Sequence, residues 1–200
     1  PARPNAIPGR MPGTAAPPAL GELVISLFRR LEDEKIDWVL VGGEAVNLYR
    51  KQPRATVDVD LVMRDEDLQT FKRRWLGRGY AERVTGTGKL LDAENGVHID
   101  VLSTGRFPGD DKPKPIAFPD PRTTAIRGEP FALLPVERWI ELKLASGMVA
   151  AHRLKDLADV QELIRIARFP RTMGDDLDPW VRERFLTLWD AVHDAPEDPF

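Results

Sequence analysis

Two aspartates, Asp58 and Asp60, stand two residues apart inside the apolar run VDVDLVM at 57–63. A strand that buries Val57, Val59 and Leu61 on one side turns both carboxylates to the other. Adjacent anions repel, and each is costly to remove from water without a partner. Any fold for this chain must therefore bring that side of the strand to water, counter-ions or metal. The pair alone leaves two readings open. One is a solvent-facing edge strand with surface aspartates. The other is a cation site, because oxygen ligands at this spacing suit Mg²⁺ or Mn²⁺.

A second segment, GVHIDVLS at 96–103, repeats the arrangement. Val97, Ile99 and Val101 share one face, and His98, Asp100 and Leu102 the other. If the two strands are neighbours, Asp100 joins Asp58 and Asp60 around a pair of metal ions. His98 lies on the Asp100 face, where a simple polar contact is expected ahead of a contact with substrate. A third signal is Gly42-Gly43, placed after the apolar run 38–41 and before a helical stretch. Glycines let backbone approach a ligand closely, and a following helix start presents free N–H groups, which together make a phosphate seat. One helix and one turn separate this seat from the aspartate pair. The combination suits a nucleoside triphosphate with its metal ions.

The rest of the chain supplies a framework. Apolar periodicity predicts a helix over 20–34, a buried strand at 38–41, helix over 44–50 and the strand at 57–63. A helix capped by Asp65 and ended by Gly79 follows, then strand pieces at 80–85, 89–91, 97–102 and 131–134. Five prolines make 107–121 a surface loop. Pro135 is well placed to open a helix, and helices are expected over 136–146, 150–168 and 180–192. The expected fold is α/β (α+β): a mixed nucleotide-site sheet flanked by helices over 19–134, then a small helical lobe over 135–200. Residues 1–18, with six prolines and no acid, read as a flexible lead-in. The Trp180, Phe185 and Trp189 stripe reads as core.

Composition excludes several classes. There is no cysteine, hence no disulfide or thiolate metal site. Three scattered histidines make no zinc pattern. The net charge of −3 calls for no nucleic acid in bulk. No apolar run reaches membrane-spanning length, no signal-peptide core is present, and a cytoplasmic location is expected. GTGK at 86–89 lacks the residues around it that a phosphate loop needs and reads as a turn.

Gly42-Gly43, a short helix, Asp58-Val59-Asp60 flanked by apolar residues and Asp100 on a later strand together resemble the polymerase-beta-like nucleotidyltransferase superfamily. The wider pattern VGGEAVNLY…PRATVDVDLV resembles most the branch of AbiEii-type toxin nucleotidyltransferases and their relatives. Those relatives carry a helix reading Arg-x-Lys-Asp-x-x-Asp, which RLKDLAD matches with Arg153, Lys155, Asp156 and Asp159. The resemblance spans about residues 20–168. It implies an NTP substrate, two metal ions (Mg²⁺ or Mn²⁺) held by Asp58, Asp60 and Asp100, and transfer of a nucleoside monophosphate to a hydroxyl. It places Asp100 best to hold or deprotonate the nucleophile, gives Arg153, Lys155, Asp156 and Asp159 a nucleotide-site role, and makes an antitoxin partner plausible.

Several residues stay open at this point. Lys143 lies near the buried stripe of its helix and either reaches a triphosphate or snorkels. Arg54 and Thr56 either touch phosphate or brace their loop. RKQPR at 50–54 and KRRWLGR at 72–78 are basic footings for RNA or solvated surface. The acceptor is RNA, protein or a small molecule. Competing functions are a catalytically silent binding relative and an antibiotic nucleotidyltransferase, for which Asp156 and Asp159 would meet a cationic sugar.

Overall fold

A computed structural model describes residues 18–47, 58–128 and 131–194. The lead-in through residue 17, Arg54, Thr56 and the whole of RKQPR lie outside the described residues, as do Val57 and the acidic end beyond Asp194. Two compact units emerge, one from Pro1–Gly105 with Pro119–Pro135, the other from Arg106–Phe118 with Val136–Phe200.

Among the described residues, the first unit is built on a mixed sheet of seven strands. Helix α1 (Pro18–Asp33) precedes β1 (Trp38–Val41), and α2 (Gly42–Asn47) follows directly. Next come β2 (Asp58–Met63), α3 (Asp65–Trp75), β3 (Tyr80–Glu82), β4 (Lys89–Asp92) and β5 (Val97–Ser103). A single turn, α4 (Pro121–Thr124), leads into β6 (Ile126–Arg127) and β7 (Ala132–Leu133). The order is β3-β4-β5-β2-β1-β7-β6. All four residues of β1 are buried, as a continuous apolar run in mid-sheet should be. On α1, Val24, Leu27, Phe28 and Leu31 are all at or below 6% exposure, the face that the periodicity predicted. Phe28 stacks on Trp38 at 4.1 Å between ring centroids, tying α1 to β1.

Four local expectations need correction. Asp65 is the first helical residue, not the cap. Arg64 holds the cap position in extended backbone, and its carbonyl accepts from the N–H groups of Asp67 and Leu68. That helix ends at Trp75, a turn before Gly79, because Leu76 leaves it to bridge Tyr80. The strand expected over 80–85 stops at Glu82, where the chain turns back. The strand expected over 131–134 keeps two residues and pairs with β6, which the sequence signals missed.

The second unit packs three helices against one another: α5 (Val136–Val149), α6 (Leu154–Ala167) and α7 (Pro179–Asp194). Short 3₁₀ turns at Ala151–Arg153 and Arg171–Asp176 lead into α6 and α7. Residues 139–147 of α5 are buried without a break, so α5 is the central helix of this unit. Phe185 of α7 is fully buried, as expected, and Trp189 donates its indole N–H to the Phe169 carbonyl at 2.8 Å. The proline-rich stretch 106–118 has no helix or strand, yet Pro108 and Ile116 are buried within this same unit.

Candidate active site on the β2–β5 ridge

β2 and β5 are neighbours and run parallel, in register from Asp58↔His98 to Met63↔Ser103. The cause lies in the pattern. Val59, Leu61, Ile99 and Val101 are all buried at 9% exposure or less, and this pairing puts them on one side together. The same register sets Asp60 directly beside Asp100 and Asp58 beside His98. Adjacent strands lie about 4.8 Å apart, so Asp60 and Asp100 carry their carboxylates on the same face within a few ångströms of each other at the backbone. The register therefore puts the three aspartates on one face of two neighbouring strands.

On its other side β2 pairs antiparallel with β1, and Asp60 lies opposite Val41. The next residue, Gly42, has φ +71°, and a Cβ there would stand 1.8 Å from Asp60 Oδ2. Gly42 is thus glycine for two reasons: its backbone conformation, and a carboxylate already occupying the space of a side chain. Gly43 follows it within α2.

The carboxylates have neighbours of opposite character. Arg83 Nη1 donates to Asp100 Oδ1 at 3.3 Å, with both side chains 27% exposed. His98 Nδ1 lies 3.0 Å from Asp58 Oδ1. His98 therefore makes the polar contact expected of it. Lys89, the last residue of GTGK, opens β4 directly across from Asp100. Opposite residues of an antiparallel pair point to one side, so Lys89 shares the Asp100 face. GTGK is a turn, as expected, but its lysine stands on the face of the acidic ridge and the preceding Arg83 contacts it. No local motif marks either residue, and both arrive by hairpin pairing.

Carboxylate oxygens gathered on one face are the donor chemistry that Mg²⁺ and Mn²⁺ prefer, and in that respect Asp58, Asp60 and Asp100 fit a divalent cation. Asp100 is meanwhile turned to Arg83 and Asp58 to His98. Among the described residues, no group of three or more His, Asp or Glu side chains is already arranged around a metal position. Each of those two contacts takes one oxygen of its carboxylate, Oδ1 of Asp100 and Oδ1 of Asp58.

The remaining candidates sit in the helical unit as one buried network. Lys143 on α5 donates to Asp156 Oδ1 at 2.7 Å and Asp159 Oδ2 at 3.0 Å, both on α6. Ser146 Oγ donates to Asp156 Oδ2 at 2.7 Å, and Arg153 Nε reaches the same oxygen at 2.7 Å. Asp156 is fully buried and Asp159 nearly so. Burial pushes the Asp156 carboxyl up, but the Lys143 charge, hydrogen bonds from Lys143 and Ser146, and Arg153 outweigh it and hold the carboxyl below its usual range. Lys143 is thus paired inside its own unit, neither snorkelling nor directed outward. Lys155 is exposed and outside this network. Ser146 is a member that the sequence reading missed, since nothing in the local pattern of α5 distinguishes it from a core serine.

No family model matches the chain, and no curated protein matches it. Solved structures similar to it include an antigenic nucleotidyltransferase-like protein from Paracoccidioides brasiliensis, at 18% identity and TM-score 0.46, over 76% of this chain and 78% of that one. A Thermotoga maritima protein, provisionally described as a nucleotidyltransferase, is 18% identical with TM-score 0.49, over 72% of this chain and 96% of that one. The antibiotic-resistance factor ANT(2'')-Ia is 11% identical with TM-score 0.46, over 88% and 94%. At these identities and TM-scores the likenesses bear on neither activity nor substrate. No helix among the described residues is long and apolar enough to cross a membrane.

Proposed function

We propose that the chain is a metal-dependent nucleotidyltransferase that moves a nucleoside monophosphate from an NTP to a hydroxyl. The observation that carries this reading is the in-register pairing of Asp60 with Asp100, with Asp58 on the same face and the Gly42 backbone against Asp60. Asp58, Asp60 and Asp100 would hold Mg²⁺ or Mn²⁺, whose chemistry there is to neutralise triphosphate charge and lower the pKa of a bound hydroxyl. Gly42 and Gly43 would line the approach of the phosphates, and Asp100 would orient the acceptor. Arg153 and Lys155 keep the nucleotide-site roles that the motif resemblance implies, and Arg54 and Thr56, next to the aspartate pair in sequence, would touch phosphate. Lys143, Asp156 and Asp159 would serve by positioning, because their charged atoms are spent on one another. The acceptor is a hydroxyl of RNA, protein or a small molecule, and a toxin with a cognate antitoxin is the setting that the motif resemblance suggests.

The test is incubation of the chain with each labelled NTP, Mg²⁺ or Mn²⁺, and either total RNA, lysate or small hydroxyl compounds. Transfer of label is expected, with loss of at least about a hundredfold in Asp58→Asn/Asp60→Asn, the order of effect seen when charge stabilisation is removed from a transition state. Undiminished transfer by the double variant would remove the carboxylates from the chemistry.

A second reading, a catalytically silent binding relative, has its own observation. Asp100 and Asp58 each already have a side-chain partner. No label on any acceptor, together with capture of a specific partner, would favour it. The antibiotic-modifying reading loses its support, because Asp156 and Asp159 are buried and paired rather than exposed to a cationic sugar.

A further inference from the structure

The turn that carries Arg83 is held from three sides. Its first anchor is Lys72 of α3, a buried lysine that pairs with Glu82 at 2.7 Å and donates to the Thr87 carbonyl at 2.6 Å. The Glu82 carboxylate also accepts from the Gly86 N–H at 3.2 Å. The hydrogen bond from Lys72, with that from the Gly86 backbone, holds the Glu82 carboxyl below its usual range. The second anchor is Gly88, whose carbonyl accepts from Val101 N–H at 2.8 Å and where a Cβ would meet the Val101 carbonyl oxygen at 2.2 Å. The third is the Arg83 N–H itself, which donates to the Lys89 carbonyl at 2.8 Å. Tight apposition to β5 and a buried lysine strut fix this turn beside Asp100. An exposed arginine on a free loop would have no such reason to sit there.

Asp60 and Asp100 stand side by side, and their repulsion needs an opposing charge. Arg83 supplies one. A divalent cation bound to the same pair supplies another, and a guanidinium beside it repels the cation. The two neutralising charges are alternatives at Asp100. We infer that Arg83 is a displaceable counter-ion that competes with the divalent cation for Asp100, so that loading the site exchanges the arginine for the metal. This rests on the metal-site reading above and adds a built-in opponent to it. The exchange breaks no covalent bond. Both partners of the pair are 27% exposed, so release returns the guanidinium to water at modest cost.

The experiment is Mn²⁺ binding to the full chain without nucleotide, followed by electron paramagnetic resonance of the free ion. The parent, Arg83→Gln, Arg83→Lys, and each in an Asp100→Asn background are compared, with circular dichroism to confirm folding. Arg83→Gln should bind Mn²⁺ about fivefold more tightly than the parent, the scale of one part-exposed ion pair. Arg83→Lys, which keeps the charge but not the planar fork, should fall between them. In the Asp100→Asn background the gain should vanish. Equal or weaker Mn²⁺ binding by a folded Arg83→Gln, where the parent binds, overturns the inference and leaves the metal site standing. If Arg83→Gln does not fold, Arg83→Lys binding no more tightly than the parent overturns it equally. Absence of Mn²⁺ binding in parent and variants at millimolar metal overturns the metal-site reading, and the inference with it.

Discussion

At Gly42 the Asp60 side chain and the backbone conformation together decide what the residue is allowed to be. Alanine there would place a methyl group 1.8 Å from Asp60 Oδ2 and would hold an L-residue at φ +71°. The backbone strain alone costs about 1–2 kcal/mol. The clash forces either the carboxylate or the start of α2 to move. Gly42→Ala should therefore lower stability by about 2–3 kcal/mol in chemical denaturation, adding displacement to strain. Weaker Mn²⁺ binding should accompany the loss if Asp60 is a ligand. A variant as stable as the parent would show that this turn is slack. Asp60→Ala should restore only the displacement share of the loss, because it removes the colliding Oδ2 and Cγ but leaves the positive φ and a Cβ 2.8 Å away. A double variant no more stable than the single one would assign the cost to φ and the Cβ contact rather than to the carboxylate.

Among the elements, α5 and α6 press together at Gly147, where a Cβ would lie 2.5 Å from Leu157 Cγ. Gly147→Ala should destabilise by about 1–3 kcal/mol, the usual cost of overpacking a close contact. Trimming Leu157 to Ala in the same chain should recover part of that, as read by urea midpoints at unchanged slope. A Gly147→Ala protein more stable than its parent would show that the helices separate freely. Contacts of this kind explain what the sequence alone conveyed. Alternating apolar residues in β2 and β5 dictated two strands and the side on which their aspartates lie, and the helical period of α1 dictated its buried face. Two-residue strands such as β6 and β7 have too few positions for any period to register. The burial of Ile116 was invisible for another reason: a proline-rich composition describes backbone, not what an isolated apolar side chain packs against. Arg83 and Ser146 were missed because their partners are distant in the chain or on another element, and Lys89 because only hairpin register sets it across from Asp100. Ion pairs across a hairpin leave no local signature, whereas the matching Arg-x-Lys-Asp-x-x-Asp spacing on α6 could be read directly.

For the molecule as a whole, acid is the informative stress. Asp156, Asp110, Asp120, Asp190 and Glu82 all have carboxyls held below their usual range, chiefly by hydrogen bonds to Lys or Arg except at Asp156, where burial is outweighed by Lys143 and its companions. A carboxyl with a lowered folded pKa stabilises the fold fully above its unfolded value of about 4 and ceases to as pH falls through the folded value. Stability should thus be level in this respect above about pH 5 and fall steeply below about pH 4. Asp156→Asn should lose about 3 kcal/mol at neutral pH, since it leaves Lys143 and Arg153 short of a buried anion. The difference from the parent should shrink as acid protonates Asp156. A constant difference from pH 7 down to pH 2 would contradict that assignment. The crowding at Gly42 also reaches beyond one molecule's lifetime. If Asp60 is replaced first by a smaller residue, the carboxylate's part of the steric bar at position 42 lifts, leaving the closer-than-normal Cβ contact at 2.8 Å and the positive φ. If position 42 changes first, the intermediate carries the full collision. Descendants of this chain that abandon the acidic ridge should therefore lose the aspartate before the glycine, which makes the order of loss a historical record of when the site fell out of use.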